Sequence, residues 1–146
     1  MSALADQRRQ ADQLVRLRLV RQQAAARALA TARAATEAAE VERRRADDLA
    51  TSADATLQAS RADLATDPGE AERLLAVLDQ SRFRQSVARS ALNDAREAER
   101  VCEDAEAERR RVMILARARH DVLAEEAERI ARRLDRWREE QAIVDG

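Results

Sequence analysis

One short segment constrains the fold of this chain more than any other: the run Thr66-Asp67-Pro68-Gly69, where a helix is expected to stop. It holds the only proline of the 146 residues and one of the two glycines. The stretches on either side, about 4–65 and 70–144, consist mainly of Ala, Arg, Glu, Leu and Gln, which favour helix. The sequence therefore predicts two very long helices separated by a turn near residues 66–69.

The residues of this turn also predict where the second helix begins. Asp67 can cap its N-terminus, Pro68 suits a first helical turn because proline has no amide hydrogen, and Glu70 stands at the capping-box position. Helices of this length would extend roughly 90 and 110 Å and need a partner along a shared seam. We therefore predict an all-α fold: one long antiparallel two-helix coiled-coil hairpin that comprises the whole chain.

The composition favours such a rod over a compact domain and argues against several classes of protein. The chain is 45% hydrophobic but only 1% aromatic, and 38% of it is charged, so few large side chains are available for a globular core. A net charge of -1 argues against binding nucleic acid through phosphate neutralisation. The longest apolar runs, such as residues 112–116, are too short for a membrane span or a signal peptide. With a single cysteine besides, we expect a cytoplasmic protein without direct membrane insertion.

The second helix carries a heptad seam, the signature of a left-handed coiled coil. Alternating steps of four and three residues from Leu74 to Val144 meet apolar side chains at about two thirds of the positions. The predicted seam is Leu74, Leu78, Ser81, Gln85, Ala88, Leu92, Ala95, Glu99, Cys102, Glu106, Arg109, Met113, Ala116, His120, Leu123, Ala127, Ile130, Leu134, Trp137, Gln141 and Val144. Its polar stretch from Glu99 to Arg109 predicts local flexibility or a bend.

The seam predicted for the first helix is richer in alanine. It comprises Leu14, Arg18, Arg21, Ala25, Ala28, Ala32, Ala35, Ala39, Glu42, Ala46, Leu49 and Ala53, followed by a one-residue slip to Leu57 and Leu64. Alanine on one helix against larger residues on the other lets the two backbones approach closely. A register set by the turn would place Ala25 near Met113 and Ala46 near Leu92.

Two apolar segments exceed what the seam needs. Leu14–Arg21 alternates apolar and basic residues; in a helix Leu14 and Leu17 can join the seam, while Val15, Leu19 and Val20 point elsewhere. In the segment 112–115 of the second helix, only Met113 takes a seam position. These segments either form a docking surface or pack against each other across a loosened coil.

Charge is unevenly distributed along the predicted hairpin. Residues 1–45 carry ten arginines against five acids, whereas residues 46–81 carry two arginines against eight acids. This pattern reflects either solvated helix faces or two ends that meet differently charged partners. Leu75, Val77 and Phe83 form a third small apolar group, at the tip.

The sequence offers no credible catalytic or metal-binding group. It has neither lysine nor tyrosine, and the positions three and four residues from His120 hold no metal ligand. Acidic neighbours such as Glu99 and Glu103 would disfavour a reactive thiolate at Cys102. We therefore expect a protein that is not an enzyme, has no cofactor and uses His120 and Cys102 in its seam.

The N-terminal pattern resembles a known family. Leu-Val-Arg-Leu-Arg-Leu-Val-Arg at residues 14–21, followed by Gln-Gln-Ala-Ala-Ala-Arg-Ala, is similar to the start of the YscO proteins of type III secretion, relatives of the flagellar export protein FliJ. Arg138-Glu139-Glu140-Gln141 resembles the Glu-rich YscO ending, although the Phe often found there is absent. These families form antiparallel hairpins similar to the coiled-coil shaft of a rotary ATPase.

The resemblance implies a central stalk that links the hexameric secretion ATPase to the export gate at the inner membrane. The chain would be cytoplasmic and peripheral to that apparatus, with secretion chaperones as a further class of partner. On the ATPase side we expect contacts from Leu14, Arg16, Leu17, Leu19, Arg21, Leu134, Trp137 and Arg138. On the export-gate side we expect contacts from Leu49, Leu57, Leu75 and Phe83.

Two other interpretations remain open from the sequence. A coiled-coil adaptor or prefoldin-like holdase would grip clients with its tip, and would favour self-association and more apolar surface there. A parallel homodimer of extended rods would need Pro68 only as a kink in a continuous helix.

Overall fold

The computed structural model describes residues 2–66 and 68–146. Helix α1 extends over Ser2–Thr66, a 3-10 turn over Pro68–Glu70 and helix α2 over Ala71–Asp145. No strand occurs in these residues, and the two long helices pack against each other. The predicted all-α helical hairpin is confirmed, and its helix boundaries fall within two residues of those expected.

The turn begins where the sequence predicted a helix stop. Near the end of α1 the Thr66 hydroxyl donates a 3.1 Å hydrogen bond to the carbonyl of Ala62. After the turn, the carboxylate of Glu70 accepts a 2.7 Å hydrogen bond from Nε of Arg73. The predicted cap residue, Asp67, lies outside the described residues, and so does the capping box that depends on it.

The seam predicted for α2 matches the observed burial closely. From Leu74 to Trp137 every predicted position is buried or half-buried except Arg109, which is exposed. Leu74, Leu78 and Leu92 are among the most buried side chains. The last two predicted positions, Gln141 and Val144, are exposed, so the seam ends about two turns before the helix does.

The seam predicted for α1 was only partly right. The predicted members that are exposed, and therefore wrong, are Leu14, Arg21, Ala35, Glu42 and Leu49. Leu49 was placed in the seam but is 66% exposed, whereas its neighbour Ala50 is buried. Leu57 belongs to the same uninterrupted heptad as Ala50, so there is no one-residue slip. The observed seam is Leu4, Arg8, Ala11, Val15, Arg18, Gln22, Ala25, Leu29, Ala32, Thr36, Ala39, Arg43, Ala46, Ala50, Ala53, Leu57, Ser60 and Leu64.

The packing of the helices falls into two compact units. The first, which we call the turn unit, is Ala32–Glu106. The second, the terminal unit, combines the residues up to Thr31 with Ala107–Gly146. Each unit therefore contains a segment of α1 packed against a segment of α2.

Side-chain contacts define the register of the turn unit. The Thr36 hydroxyl lies 3.2 Å from the carbonyl oxygen of Cys102 and shares its single hydrogen between that oxygen and the carbonyl of Ala32, 3.0 Å away. The predicted register places Thr36 and Cys102 opposite each other. Closer to the turn, the hydroxyls of Ser60 and Ser81 lie 3.1 Å apart in the buried seam. The two helix segments therefore run antiparallel, in a register within about one helical turn of the predicted one.

The polar stretch of the α2 seam is matched by arginines from α1. Nε of Arg43 donates a 2.7 Å hydrogen bond to Oε2 of Glu99, and the hydrogen bond raises the pKa of the Arg43 guanidinium above its ordinary value. Arg33 Nε lies 3.6 Å from Oε1 of Glu106. The predicted flexibility or bend near these residues stays a prediction, but their seam carboxylates are paired.

The terminal unit has a sparser core. Its buried side chains are Leu29, Ala127 and Leu134, with half-buried Val15 and Ile130 on the same seam. Gln22 also occupies the seam, and its Oε1 is buried without a hydrogen-bond partner among the described atoms. A buried carbonyl without a donor destabilises a fold, so Gln22 marks a weak layer of this unit.

Candidate interaction surfaces

The N-terminal apolar segment is an exposed surface on the terminal unit. Leu14, Leu17, Leu19 and Val20 remain between 40% and 59% exposed, and Arg16 and Arg21 are exposed beside them. The expectations that Leu14 and Leu17 join the seam and that Val15 points elsewhere were wrong, because Val15 is the half-buried seam residue. Arg18, which was predicted in the seam, is half-buried there. An apolar strip interleaved with arginines therefore faces outwards. We call Leu14–Arg21 the N-terminal patch.

The apolar segment of α2 in the same unit is exposed as well. Val112, Ile114 and Leu115 keep at least two fifths of their surface accessible, while the seam residue Met113 is half-buried. Leu115 and Arg18 line a shallow groove of about 370 Å³ together with Val122. The N-terminal patch and the segment 112–115 thus approach each other at Arg18. Their apolar side chains stay exposed, whereas the alternative in which the two segments pack against each other required them to be buried.

The three C-terminal residues assigned to the ATPase side differ in accessibility. Leu134 is only 2% exposed and packs in the seam, Trp137 is half-buried, and Arg138 is exposed. Leu134 therefore stabilises the helix pair from within. Trp137 and Arg138 are the ones whose side chains a partner can reach.

The residues assigned to the gate side lie in the turn unit and also fall into two groups. Leu49, Leu75 and Phe83 are exposed, Phe83 by 70%. Leu57 is only 2% exposed and belongs to the seam. The accessible apolar surface of this unit thus includes Leu49, Leu75 and Phe83, together with Val77, which the sequence also placed at the tip. To these the structure adds Val41, Val87 and Val101.

A groove of about 790 Å³ lies between α1 and α2 in the turn unit. Its large apolar side chains are Leu49 from α1 and Phe83 and Val87 from α2. Between them lie small residues, which are Ala46, Ser52, Ala53, Thr56, Ser81, Ala88, Ala91 and Ala95. Charged side chains, Glu42, Arg45 and Arg84, complete the lining. We call this feature the lateral groove.

The lateral groove is lined by two residues that were predicted to contact the export gate and by a third large apolar residue that the sequence analysis did not identify. Leu49 and Phe83 were predicted to contact a partner, whereas Val87 was not singled out. A signal was present: Arg84, Val87 and Ala91 follow one another at heptad spacing beside the seam, and so do Arg45, Leu49 and Ser52. A second heptad stripe beside the first is typical of helices that contact more than one neighbour.

The other side of the turn unit is closed by ion pairs and hydrogen bonds between the helices. Asp54 accepts a 2.6 Å hydrogen bond from Nε2 of Gln85, and its Oδ1 lies 3.2 Å from an Arg89 nitrogen. No exposed side chain of the lateral groove makes such a bridge from α1 to α2 within the described residues. The two sides of this unit therefore differ: one is polar and bridged, and the other is apolar and open.

The single histidine and the single cysteine both lie in the seam between the helices. His120 is half-buried in the seam, with Nδ1 3.2 Å from Oδ1 of Asp121, and Cys102 is half-buried opposite Thr36. Among residues 2–66 and 68–146, no three His, Cys, Asp or Glu side chains form a group that could hold a metal ion. Within the same residues, neither helix has a stretch apolar enough to cross a membrane.

Comparison of the chain with protein-family models, with curated proteins and with solved structures finds no match. The support for a function therefore comes from the chemistry of these surfaces and from the resemblance of residues 14–28 and of the C-terminal segment.

Proposed function

We propose that this protein is a non-enzymatic stalk of a type III secretion export apparatus, which couples the secretion ATPase to the export gate. The observation that supports the proposal most is the N-terminal patch. Leu14, Leu17 and Leu19 are exposed although the seam beside them is complete without them. These leucines lie in the segment that resembles the YscO proteins. The part of the chain that carries the resemblance therefore exposes apolar side chains that the packing of the two helices does not need.

The chemistry of the patch suits a protein partner. Exposed leucines supply apolar contact area, and Arg16 and Arg21 beside them can pair with carboxylates of the partner. Trp137 and Arg138 would contribute at the C-terminal end of α2. In this assignment the terminal unit meets the ATPase, and the partner supplies the acidic residues.

The turn unit would meet the export gate. Leu49, Leu75 and Phe83 are its accessible apolar side chains among those assigned to that contact, and its sequence around the turn is acidic. In the proposal the two units bind different partners through different chemistry. The chain itself hydrolyses nothing and carries no cofactor; its role is mechanical and electrostatic coupling in the cytoplasm, peripheral to the inner membrane.

A pull-down with the cognate secretion ATPase tests this assignment. The double variant L17D/L19D should retain helicity and thermal stability, because both side chains are exposed, but should weaken ATPase binding by at least about tenfold. A matched control is V41D/L49D, which places the same charges at two exposed apolar positions of the turn unit. Undiminished binding by folded L17D/L19D would mean that the patch is not the ATPase site.

A second function is favoured by the lateral groove. A coiled-coil adaptor or prefoldin-like holdase would use an open apolar groove to hold a segment of another protein. The stalk proposal requires the N-terminal patch for binding the ATPase, whereas the holdase proposal requires the lateral groove for binding a client. If V41D/L49D abolishes suppression of client aggregation while the ATPase does not bind the wild type, the holdase proposal replaces the stalk.

A further inference from the structure

We propose that the lateral groove is a self-association site, in which a second copy of this chain packs antiparallel to the first. The inference does not rest on the proposed function, but a second copy would compete with the export gate for Leu49 and Phe83, and with a client segment for the groove. Its starting point is the stripe of α2 formed by Arg84, Val87, Ala91 and Asp94, whose spacing of three, four and three residues places them on one side of the helix. The first three line the groove.

The charges of this stripe are complementary to those of its own copy. Arg84 and Asp94 are exposed, have opposite charge and stand at its two ends, and neither forms an ion pair within the described chain. When two such stripes run antiparallel about the level of Arg89, each Arg84 meets the Asp94 of the other copy. The pair forms twice, as a two-fold axis requires.

The sizes of the side chains match in the same arrangement. Between the charges, each Val87 meets the Ala91 of the second copy. On α1 the corresponding stripe is Arg45, Leu49, Ser52 and Thr56, which also lines the groove. Antiparallel pairing places each Leu49 against Ser52 of the copy and each Arg45 against Thr56. Each apolar contact therefore joins a large residue to a small one, which permits close packing.

One symmetry axis serves both helices. The α1 stripe is centred between Ala50 and Thr51, and the α2 stripe is centred at Arg89. These centres are opposite each other in the observed register, in which Asp54 bonds Gln85 and Arg89 on the bridged side. A single two-fold rotation therefore satisfies both stripes and converts two hairpin segments into a four-helix bundle. A helix from a different protein would not have this pairing of charges and side-chain sizes, because the pairing arises from the two-fold symmetry of identical chains.

Sedimentation equilibrium of the full chain and its charge variants tests the proposal. The wild type should show a concentration-dependent dimer. R84D and D94R should each weaken dimerisation by about tenfold or more, because each places like charges opposite one another twice. The double variant R84D/D94R exchanges the two charges and should restore the dimer. Circular dichroism of each variant establishes that the helices persist.

The matched control is R96D, which makes the same charge change at an exposed position on the bridged side of α2. It should leave dimerisation unchanged. A wild type that stays monomeric throughout, a swap that fails to restore association, or a loss of the same size in R96D would each overturn the proposal. If the monomer instead captures an amphipathic helix in the groove, the occupant is a different protein and the proposal is wrong.

Discussion

The hydroxyls of Ser60 and Ser81 lie 3.1 Å apart in the buried seam of the turn unit, one from each helix. Ser60 also donates a 3.0 Å hydrogen bond to the carbonyl of Thr56, one turn earlier. Since Ser60 uses its only hydrogen there, Ser81 is the donor between the two serines. The pair thus forms a polar layer that is satisfied across the helix interface and favours this register over a shifted one.

Removal of one serine should therefore cost more than removal of both. We expect S60A to lower the free energy of unfolding by about 1 kcal/mol, because the Ser81 hydroxyl loses its buried acceptor. S81A should cost less, since Ser60 keeps Thr56. The double variant S60A/S81A should recover most of the loss, because two apolar side chains then face each other. Urea unfolding of the three variants measures this cycle; additive losses would contradict the assigned bond.

Buried leucines should dominate the stability of the helix pair. Leu57 and Leu134 are both 2% exposed, so L57A and L134A each leave a cavity and should lower the free energy of unfolding by about 2–5 kcal/mol. L49A, measured at a concentration at which the chain is monomeric, is the matched control, because Leu49 is exposed in the monomer and its truncation should then change stability by less than about 0.5 kcal/mol. Chemical denaturation followed by circular dichroism makes the comparison. Equal losses at positions 49 and 57 would refute the observed seam.

Gln22 should be replaceable with a gain in stability. Its Oε1 is buried without a partner, and such a group costs about 1–3 kcal/mol. We expect Q22L to raise the free energy of unfolding by about 1 kcal/mol, since leucine fills the seam position without an unpaired carbonyl. Q23L, at the exposed neighbouring position, provides the control and should bring no such gain. Thermal melts of both variants decide whether the layer at Gln22 is weak.

The register can be tested with the native cysteine. Thr36 lies opposite Cys102, so T36C should be bridged to Cys102 within one chain by a short bismaleimide. E37C places its thiol at an exposed neighbouring position and should react without efficient intramolecular bridging. Mass spectrometry of the product distinguishes the architectures. Bridges only between chains would support the parallel homodimer over the hairpin.

Acid should remove the stabilising effect of the surface ion pair between Arg100 and Glu97. Arg100 donates a 3.0 Å hydrogen bond to Glu97, which lowers the pKa of Glu97 below its ordinary value of 4.5. A lowered folded-state pKa stabilises the fold above pH 4.5, and this stabilisation is lost as the pH falls through the folded-state value. E97Q should therefore melt slightly below the wild type at pH 7, and the difference should vanish in acid. E128Q, at an exposed glutamate, is the control.

The helices and one of their two seams were predictable from local chemistry. Pro68 and Gly69 are the only helix-breaking residues between two stretches of strong helix formers, which leaves little choice of architecture. In α2 the seam combines large residues such as Leu74, Leu78 and Leu92 with polar neighbours, so the size contrast identifies the buried face. An exposed N-terminal patch was one of the two outcomes that the sequence left open, and of its two seam members Arg18 was predicted whereas Val15 was not.

The seam of α1 was decided by the tertiary structure. Alanines such as Ala28, Ala35 and Ala46 occur on several faces of α1, and alanine is too small to show which face is buried. The larger residues held a usable signal, because Leu29, Leu57 and Leu64 stand whole heptads apart. Contact with α2 selects that face in the fold, since the leucines of α1 must fit between those of the facing seam.

The lateral groove shows most clearly which properties the sequence determined and which the tertiary structure decided. The sequence alone determined that Leu49 and Phe83 are apolar residues near a turn, and it favoured a partner for both. It could not determine that Leu49 leaves the seam, or that it shares a groove with Phe83 and Val87. Those facts depend on how α1 is rotated against α2. That rotation is set by packing between residues distant in the chain, which local helix propensity does not encode.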